Sequence, residues 1–182
     1  MLIAMAGLPG TGKSTLAAGL AAALSGVVLS KDVVRAALFP PPVLDYSAAQ
    51  DDIAMTAVFA AARQVLSADP SRVVILDGRT FRKSVQVEPL LALGRDVGQA
   101  PLVIECVCDA AAARARLDRD AATGAHPAGN RTGALHAAVS ATAEPLTVPR
   151  LTLHTGSLTA ADALARAIAY VRQNPPPPDR TA

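Results

Sequence analysis

Tryptophan is absent, and the aromatic residues are few: Phe39, Phe59, Phe81, Tyr46 and Tyr170. Proteins that hold single-stranded nucleic acid stack bases on aromatic side chains, so this scarcity weighs against an oligonucleotide ligand. A large excess of one charge is also missing. The formal net charge is +2 at pH 7. The positive charge is mostly arginine in local clusters, unlike the broad basic face of a general nucleic-acid binder. Cysteine is scarce: Cys106 and Cys108 stand two apart in an apolar run, where a strand would turn both to one face. That spacing makes a poor disulfide and points to buried free thiols in a reducing compartment. No Cys/His set at ligand spacing accompanies them, which argues against structural zinc. No apolar run approaches the length of a bilayer span. The apolar start, Leu2 to Ala6, is too short for a signal peptide and lacks a charged leader and a cleavage site. The expected location is cytoplasmic, with no membrane partner.

What the chain has is 182 residues, 51% of them hydrophobic, enough for one domain with its own core. Short apolar runs alternate with helical stretches. Residues 2–6, 27–29, 73–76, 102–107 and 151–154 read as buried strands. Residues 14–24, 32–38, 84–97, 110–119, 133–141 and 160–172 read as helices. Ser47 is placed to cap a long helix running to about Leu66. Pro89 is expected to kink or restart its helix. The polar, Gly/Pro-punctuated stretch 120–133 reads as a loop. The domain spans 1–173, with a lid at about 110–135, and residues 174–182 form a disordered Pro-rich tail. Strands alternating with helices make an α/β fold, a parallel sheet with helices on both faces. Ligands bind such sheets at the C-terminal strand ends. Chemistry is therefore expected at residues 7–14, 30–35, 77–82 and just after 154.

The clearest motif is Gly7-Leu8-Pro9-Gly10-Thr11-Gly12-Lys13-Ser14, followed by Thr15. It matches G-x-x-x-x-G-K-[ST] in full, with a strand before it and a helix after it. Such a loop wraps its backbone N–H groups around phosphates at a helix N-terminus. Lys13 is expected to reach the β- and γ-phosphates, and Ser14 to hold Mg²⁺ by its hydroxyl. Guanine-reading, transporter and remodelling signatures are missing, which leaves the compact kinase type. The nucleotide is ATP, with GTP as the alternative.

A second group follows the second strand: Ser30-Lys31-Asp32-Val33-Val34-Arg35. Asp32 and Arg35 share a helix face. A carboxylate there can take a proton from an attacking hydroxyl, and an arginine can clamp an anionic group on the acceptor. Asp77 ends the third strand, where a carboxylate binds Mg²⁺ through water. Arg79 and Arg82 follow it as candidates to hold the acceptor. Arg114, Arg116 and Arg119 lie on a helix ahead of a flexible loop and read as a lid that closes over the triphosphate. His126, Asn130 and Arg131 carry only a weak signal, and His136 and His154 read as structural.

On GLPGTGKST at 7–15, SKDVVR at 30–35, VVILDGRTF at 73–81 and ECVCDAAAARARLDR at 105–119, the chain resembles the small P-loop kinases grouped as AAA-type predicted kinases. That group is similar to adenylylsulfate kinases, zeta-toxin kinases and the polynucleotide 5′-kinase domain. The resemblance covers about residues 1–172. It implies a three-layer fold with a five-stranded parallel sheet in the order 2-3-1-4-5. It also implies a base at Asp32, acceptor binding at Arg35, and ATP contacts from the lid arginines. Arg116 stands in the catalytic set with Lys13, Asp32 and Arg35, and the choice among Arg114, Arg116 and Arg119 stays open.

The activity expected is transfer of the ATP γ-phosphate to a hydroxyl of a small acceptor, such as a metabolite, an antibiotic or a nucleoside-like compound. A polynucleotide 5′-hydroxyl kinase and a nucleotide-binding regulator with slow hydrolysis are the alternatives. The assembly expected is a monomer or a homodimer.

Overall fold

A computed structural model describes residues 1–124 and 126–175. Residues 176–182, most of the expected tail, lie outside the described residues. The element order is β1 (Leu2–Ala6), α1 (Lys13–Leu24), β2 (Val27–Ser30), α2 (Lys31–Leu38), α3 (Ala48–Ala68), β3 (Val74–Asp77), α4 (Ser84–Asp96), β4 (Leu102–Val107), α5 (Ala110–Thr123), α6 (Gly133–Ala141), β5 (Arg150–His154) and α7 (Ala160–Gln173). All strand pairs are parallel, in the order β2-β3-β1-β4-β5. This is the expected sheet.

Alternation along β1 builds both layers. Leu2, Ala4 and Ala6 face Val74, Leu76 and Val103, and are covered by Met55, Val58, Ala62 and Leu66 of α3 and Leu90 and Leu93 of α4. Ile3 and Met5 face the other way with Ile75, Ile104, Cys106 and Leu153. Leu16, Ala17 and Leu20 of α1 and Ala163, Ala167 and Val171 of α7 cover them. A strand apolar at every position is what a sheet covered on both faces requires.

Three local expectations are revised. Residues 27–29 and 151–154 were expected to be buried, but β2 and β5 are the edge strands, and Val27, Thr152 and His154 are exposed. An edge strand has one fewer neighbour to cover it. The helix expected to stop at Arg119 runs on to Thr123, so the loop before α6 is shorter than expected. Alanines at 121 and 122 carry the helix on, and Gly124 ends it in a left-handed conformation. Cys106 is buried on β4, whereas Cys108 lies past the strand end and is half-buried, so only one thiol is a core group. Ser47 caps α3 as expected, accepting from the Gln50 N–H. Pro89 sits inside an unbroken α4. Among the described residues, no helix is long and apolar enough to cross a membrane.

Candidate active site

The sharp turn from β1 into α1 is packed in backbone to backbone. A Cβ on Gly7, whose φ is +127°, would lie 2.2 Å from the Cys106 carbonyl oxygen, so no other residue fits there. The Gly7 N–H donates to Thr80 O at 3.0 Å, which ties the loop to the segment after β3. From the far side, Thr155 at the end of β5 donates its hydroxyl to Thr11 O at 2.8 Å. His136 of α6 places Nδ1 2.8 Å from Pro9 O. The loop is thus held from three directions before any ligand arrives.

Two cavities open on either side of the loop. One, of about 760 Å³, is lined by Gly10, Gly12, Thr15, Arg116, Arg119 and Thr155. The other, of about 460 Å³, is lined by Lys31, Asp32, Arg35, Asp51, Arg79 and Arg82. Four residues line both: Lys13, Ser14, His126 and Arg131. They mark the seam between the cavities.

Lys13 is buried, and its Nζ donates to Leu8 O at 2.8 Å. Burial lowers its pKa to about 8; Asp77 opposes the shift and Arg131 adds to it. Asp77 is buried at the end of β3, and among the described residues its Oδ1 has no hydrogen-bond partner. A buried carboxylate oxygen with no hydrogen-bond partner and a serine hydroxyl are the donor types that Mg²⁺ takes, one or two protein oxygens with phosphate and water completing its shell. Ser14 and Asp77 therefore fit the ion.

Asp32 lies in the first turn of α2, and its charge is organised by its neighbours. Oδ1 is 3.0 Å from Arg35 Nη2 and 3.3 Å from Lys31 Nζ. Asp51, from the first turn of α3, pairs with Lys31 Nζ at 2.7 Å and with Arg35 Nη1. Arg35 is 3% exposed and stacks on Tyr46, 4.7 Å from the ring centre. Oδ2 of Asp32 faces His126 Nε2 at 3.9 Å. The segment after β3 supplies the remaining wall. Gly78, with φ at +97°, lets that segment pass close to Lys31.

The other sequence candidates are distributed unevenly. Arg116 donates to Thr155 O at 2.6 Å and to Thr155 Oγ1 at 3.1 Å, facing the larger cavity. Arg119 lines the same cavity from one turn further along α5. Arg114 lines neither cavity; it is exposed and 3.9 Å from Asp118. Arg79 pairs with the exposed Asp52 at 2.7 Å. Arg82 is engaged more firmly, with Glu105 at 2.6 Å and Glu144 O at 2.9 Å. Glu105 is a buried carboxylate that also holds Arg150 at 2.7 Å.

Sequence reasoning passed over Lys31, Asp51, Thr155 and Glu105, and gave little weight to His126 and Arg131. Asp51 lies 16 residues from the Arg35 it neutralises, so no local pattern announces it. Thr155 could have been sought, because chemistry was expected just after residue 154.

The match to the AAA domain family covers residues 2–146. The chain belongs to that family. It is a small AAA-type P-loop kinase. A presumed kinase from Chloroflexus aurantiacus superposes with a TM-score of 0.76 at 26% identity, covering 96% of this chain and 97% of that one. Two further structures are alike in fold alone. Kti12 of Chaetomium thermophilum, solved with ADP-AlF3, gives 0.67 at 18% identity, covering 93% and 98%. A gluconokinase from Sinorhizobium meliloti gives 0.65 at 15%, covering 94% and 91%. Among curated proteins, none matches the chain in sequence.

Proposed function

We propose that this AAA-type kinase moves the γ-phosphate of ATP to a hydroxyl of a small acceptor held in the 460 Å³ cavity, with Asp32 as the base. The observation that carries the reading is the seam. Lys13 and Ser14 line the nucleotide cavity and also the cavity that holds Asp32. A phosphoryl group at the seam would be within reach of both.

In this reading Gly7 to Thr15 wrap the triphosphate, and the α1 N-terminus adds favourable charge, with no acidic residue in its first turn to oppose it. Arg116 and Arg119 lie over the nucleotide. Arg131, at the seam and near Lys13, is better placed than either to neutralise the phosphoryl in flight. The lid then consists of the end of α5 together with residues 126–131. Ser14 and Asp77 would hold a Mg²⁺ ion, which would neutralise charge on the phosphates.

Lys31 and Arg35 fix one oxygen of Asp32, which leaves Oδ2 for the substrate. The acceptor O–H bond breaks and its proton passes to Asp32. An O–P bond forms at the γ-phosphorus, and the bond from that phosphorus to the ADP oxygen breaks. Lys31, Arg35 and Arg79 give the cavity groups for acidic substituents, and Asp51 and Asp52 give it acceptors for hydroxyls. The gluconokinase of the same fold makes sugar acids and polyols the first compounds to test. The regulator alternative would not need Asp32 and Arg35, and the two turned away from the phosphate site would favour it; both line the cavity that adjoins that site, which supports the kinase reading.

The test is a panel of sugar acids, polyols, nucleosides and aminoalcohol antibiotics, screened by mass spectrometry for ATP-dependent gain of one phosphate. Asp32→Asn is expected to lower turnover by about 10²- to 10⁴-fold while ADP affinity stays within about threefold. Near-normal turnover in that variant would sink the assignment of the base.

A further inference from the structure

His126 lies after α5, in a segment that carries only a weak signal in the amino-acid order, yet it lines both cavities. Its ring orientation is set by the backbone. The Ala128 N–H donates to His126 Nδ1 at 3.0 Å. A nitrogen that accepts a hydrogen bond carries no proton, so the neutral ring keeps its proton on Nε2. Nε2 lies 3.9 Å from Asp32 Oδ2.

The separation is too long for a direct hydrogen bond. It is the right span for one oxygen placed between the two. An oxygen at about 2.8 Å from each atom would see them at roughly 90°, a compressed angle that still lets one hydroxyl meet both. Resting on the kinase reading above, we propose that His126 grips the acceptor hydroxyl together with Asp32. The oxygen accepts from His126 Nε2–H and donates its proton to Asp32 Oδ2. A hydroxyl oxygen has four tetrahedral directions: the bond to carbon, the O–H and two lone pairs. With the O–H aimed at Asp32 and one lone pair at His126, the bond to carbon and the second lone pair share the two directions left, and in the proposed pose that lone pair turns to the seam. His126 thereby sets the direction of attack, a positioning effect that accelerates transfer without altering the proton balance.

The surroundings keep the ring in the required state. Burial holds His126 below its ordinary pKa, and the charge of Arg131 adds to this; Asp32, Asp77 and Asp120 oppose it. The ring is then neutral at about pH 7.5. Tyr46 steadies the segment, its hydroxyl accepting from the Gly129 N–H at 3.1 Å.

Two measurements on the full chain test the inference. Long-range ¹H–¹⁵N spectra at about pH 7.5, with the His126 signals identified by their loss in His126→Gln, should show Nε2 protonated and Nδ1 bare. A proton on Nδ1 would overturn it. Phosphate release from MgATP, with water as the acceptor, and transfer to the responsive members of the panel supply the second. His126→Phe, which keeps the ring shape without the donor, should lower kcat by about 10- to 100-fold with ADP affinity within about twofold. His126→Gln, whose amide nitrogen can stand where Nε2 does, should recover most of that loss. Unchanged kcat in His126→Phe would refute the proposal, as would a Gln variant as poor as the Phe one, or a loss that follows ADP affinity. A wild-type protein with no turnover on water or on any panel member would overturn the phosphotransferase reading and this role with it. The tautomer would still decide the geometry.

Discussion

Raising the pH should release ATP before it unfolds the protein, because Lys13, the lysine proposed to meet the phosphates, is poised to lose its proton. Lys13 in the free protein titrates at about 8, against an ordinary 10.5. Contact with two phosphates restores the charged form. Binding is carried by protonated Lys13, so affinity is fully present below the free pKa and is lost as pH rises through it. Above about pH 8 the dissociation constant for ATP should rise about tenfold per pH unit, or about 1.4 kcal/mol. At about pH 9.5 the loss is about 30-fold, or about 2 kcal/mol. The terminal phosphate finishes its own ionisation at about pH 6, so it contributes nothing in this window. The Met1 amine titrates at about 6 and Cys106 at about 11, on either side of it. Calorimetric titration of ATP in buffers of different ionisation enthalpy should show about half a proton taken up per ATP at pH 8, rising towards one. Lys13→Arg keeps its charge throughout and should flatten the slope. Arg131→Ala removes a like charge and should move the onset upward, whereas Asp77→Asn removes a favourable one and should move it down. A flat affinity from about pH 7.5 to about pH 9.5, with no proton uptake, would refute the reasoning.

Thr155→Val removes the hydroxyl that bonds Thr11 O and Arg116 while keeping the side-chain shape. It should cost about 1–2 kcal/mol of stability and weaken ADP several-fold, read by thermal melts and an ADP titration. Gly78→Ala places a methyl 2.9 Å from Lys31 Cβ at a φ of +97°. It should cost about 1–3 kcal/mol and impair acceptor turnover more than ADP affinity, because the displaced neighbours are Lys31 and Asp32. Glu105→Gln leaves Arg82 and Arg150 without a counter-charge. Both arginines are partly solvated, so the expected cost is about 2–3 kcal/mol in urea unfolding, below that of breaking a fully buried pair.

Most of the strands and helices were legible in the sequence because each rests on a local pattern, whereas the sheet order was implied only by the family resemblance. A wholly apolar strand, a glycine turn and a Ser47 cap act over a few neighbouring residues, and the structure keeps them where the pattern puts them. The failures also have local causes. A strand's own residues do not say whether it lies at the centre or the edge: β2 and β5 read as buried, although the order implied by the resemblance places both at the edges. The end of α5 depended on alanine propensity outlasting the arginine pattern that had drawn attention.

The phosphate-binding loop is the part that the amino-acid order decides unaided. Gly7 to Ser14 are contiguous, and glycine alone permits the backbone they adopt, so eight residues are enough to announce a nucleotide. The site that would spend the nucleotide is different in kind. Lys13 from α1, Asp32 from α2, Asp51 from α3, Asp77 from β3, His126 and Arg131 from beyond α5, and Thr155 after β5 are far apart along the chain. Their meeting depends on strand order and on how each helix lies against the sheet. The neutralisation of Arg35 by Asp51, the seam shared by four side chains and the 3.9 Å gap between His126 and Asp32 exist only once the layers have packed. Backbone conformation is set by near neighbours, whereas the distance between charges is set by the whole core.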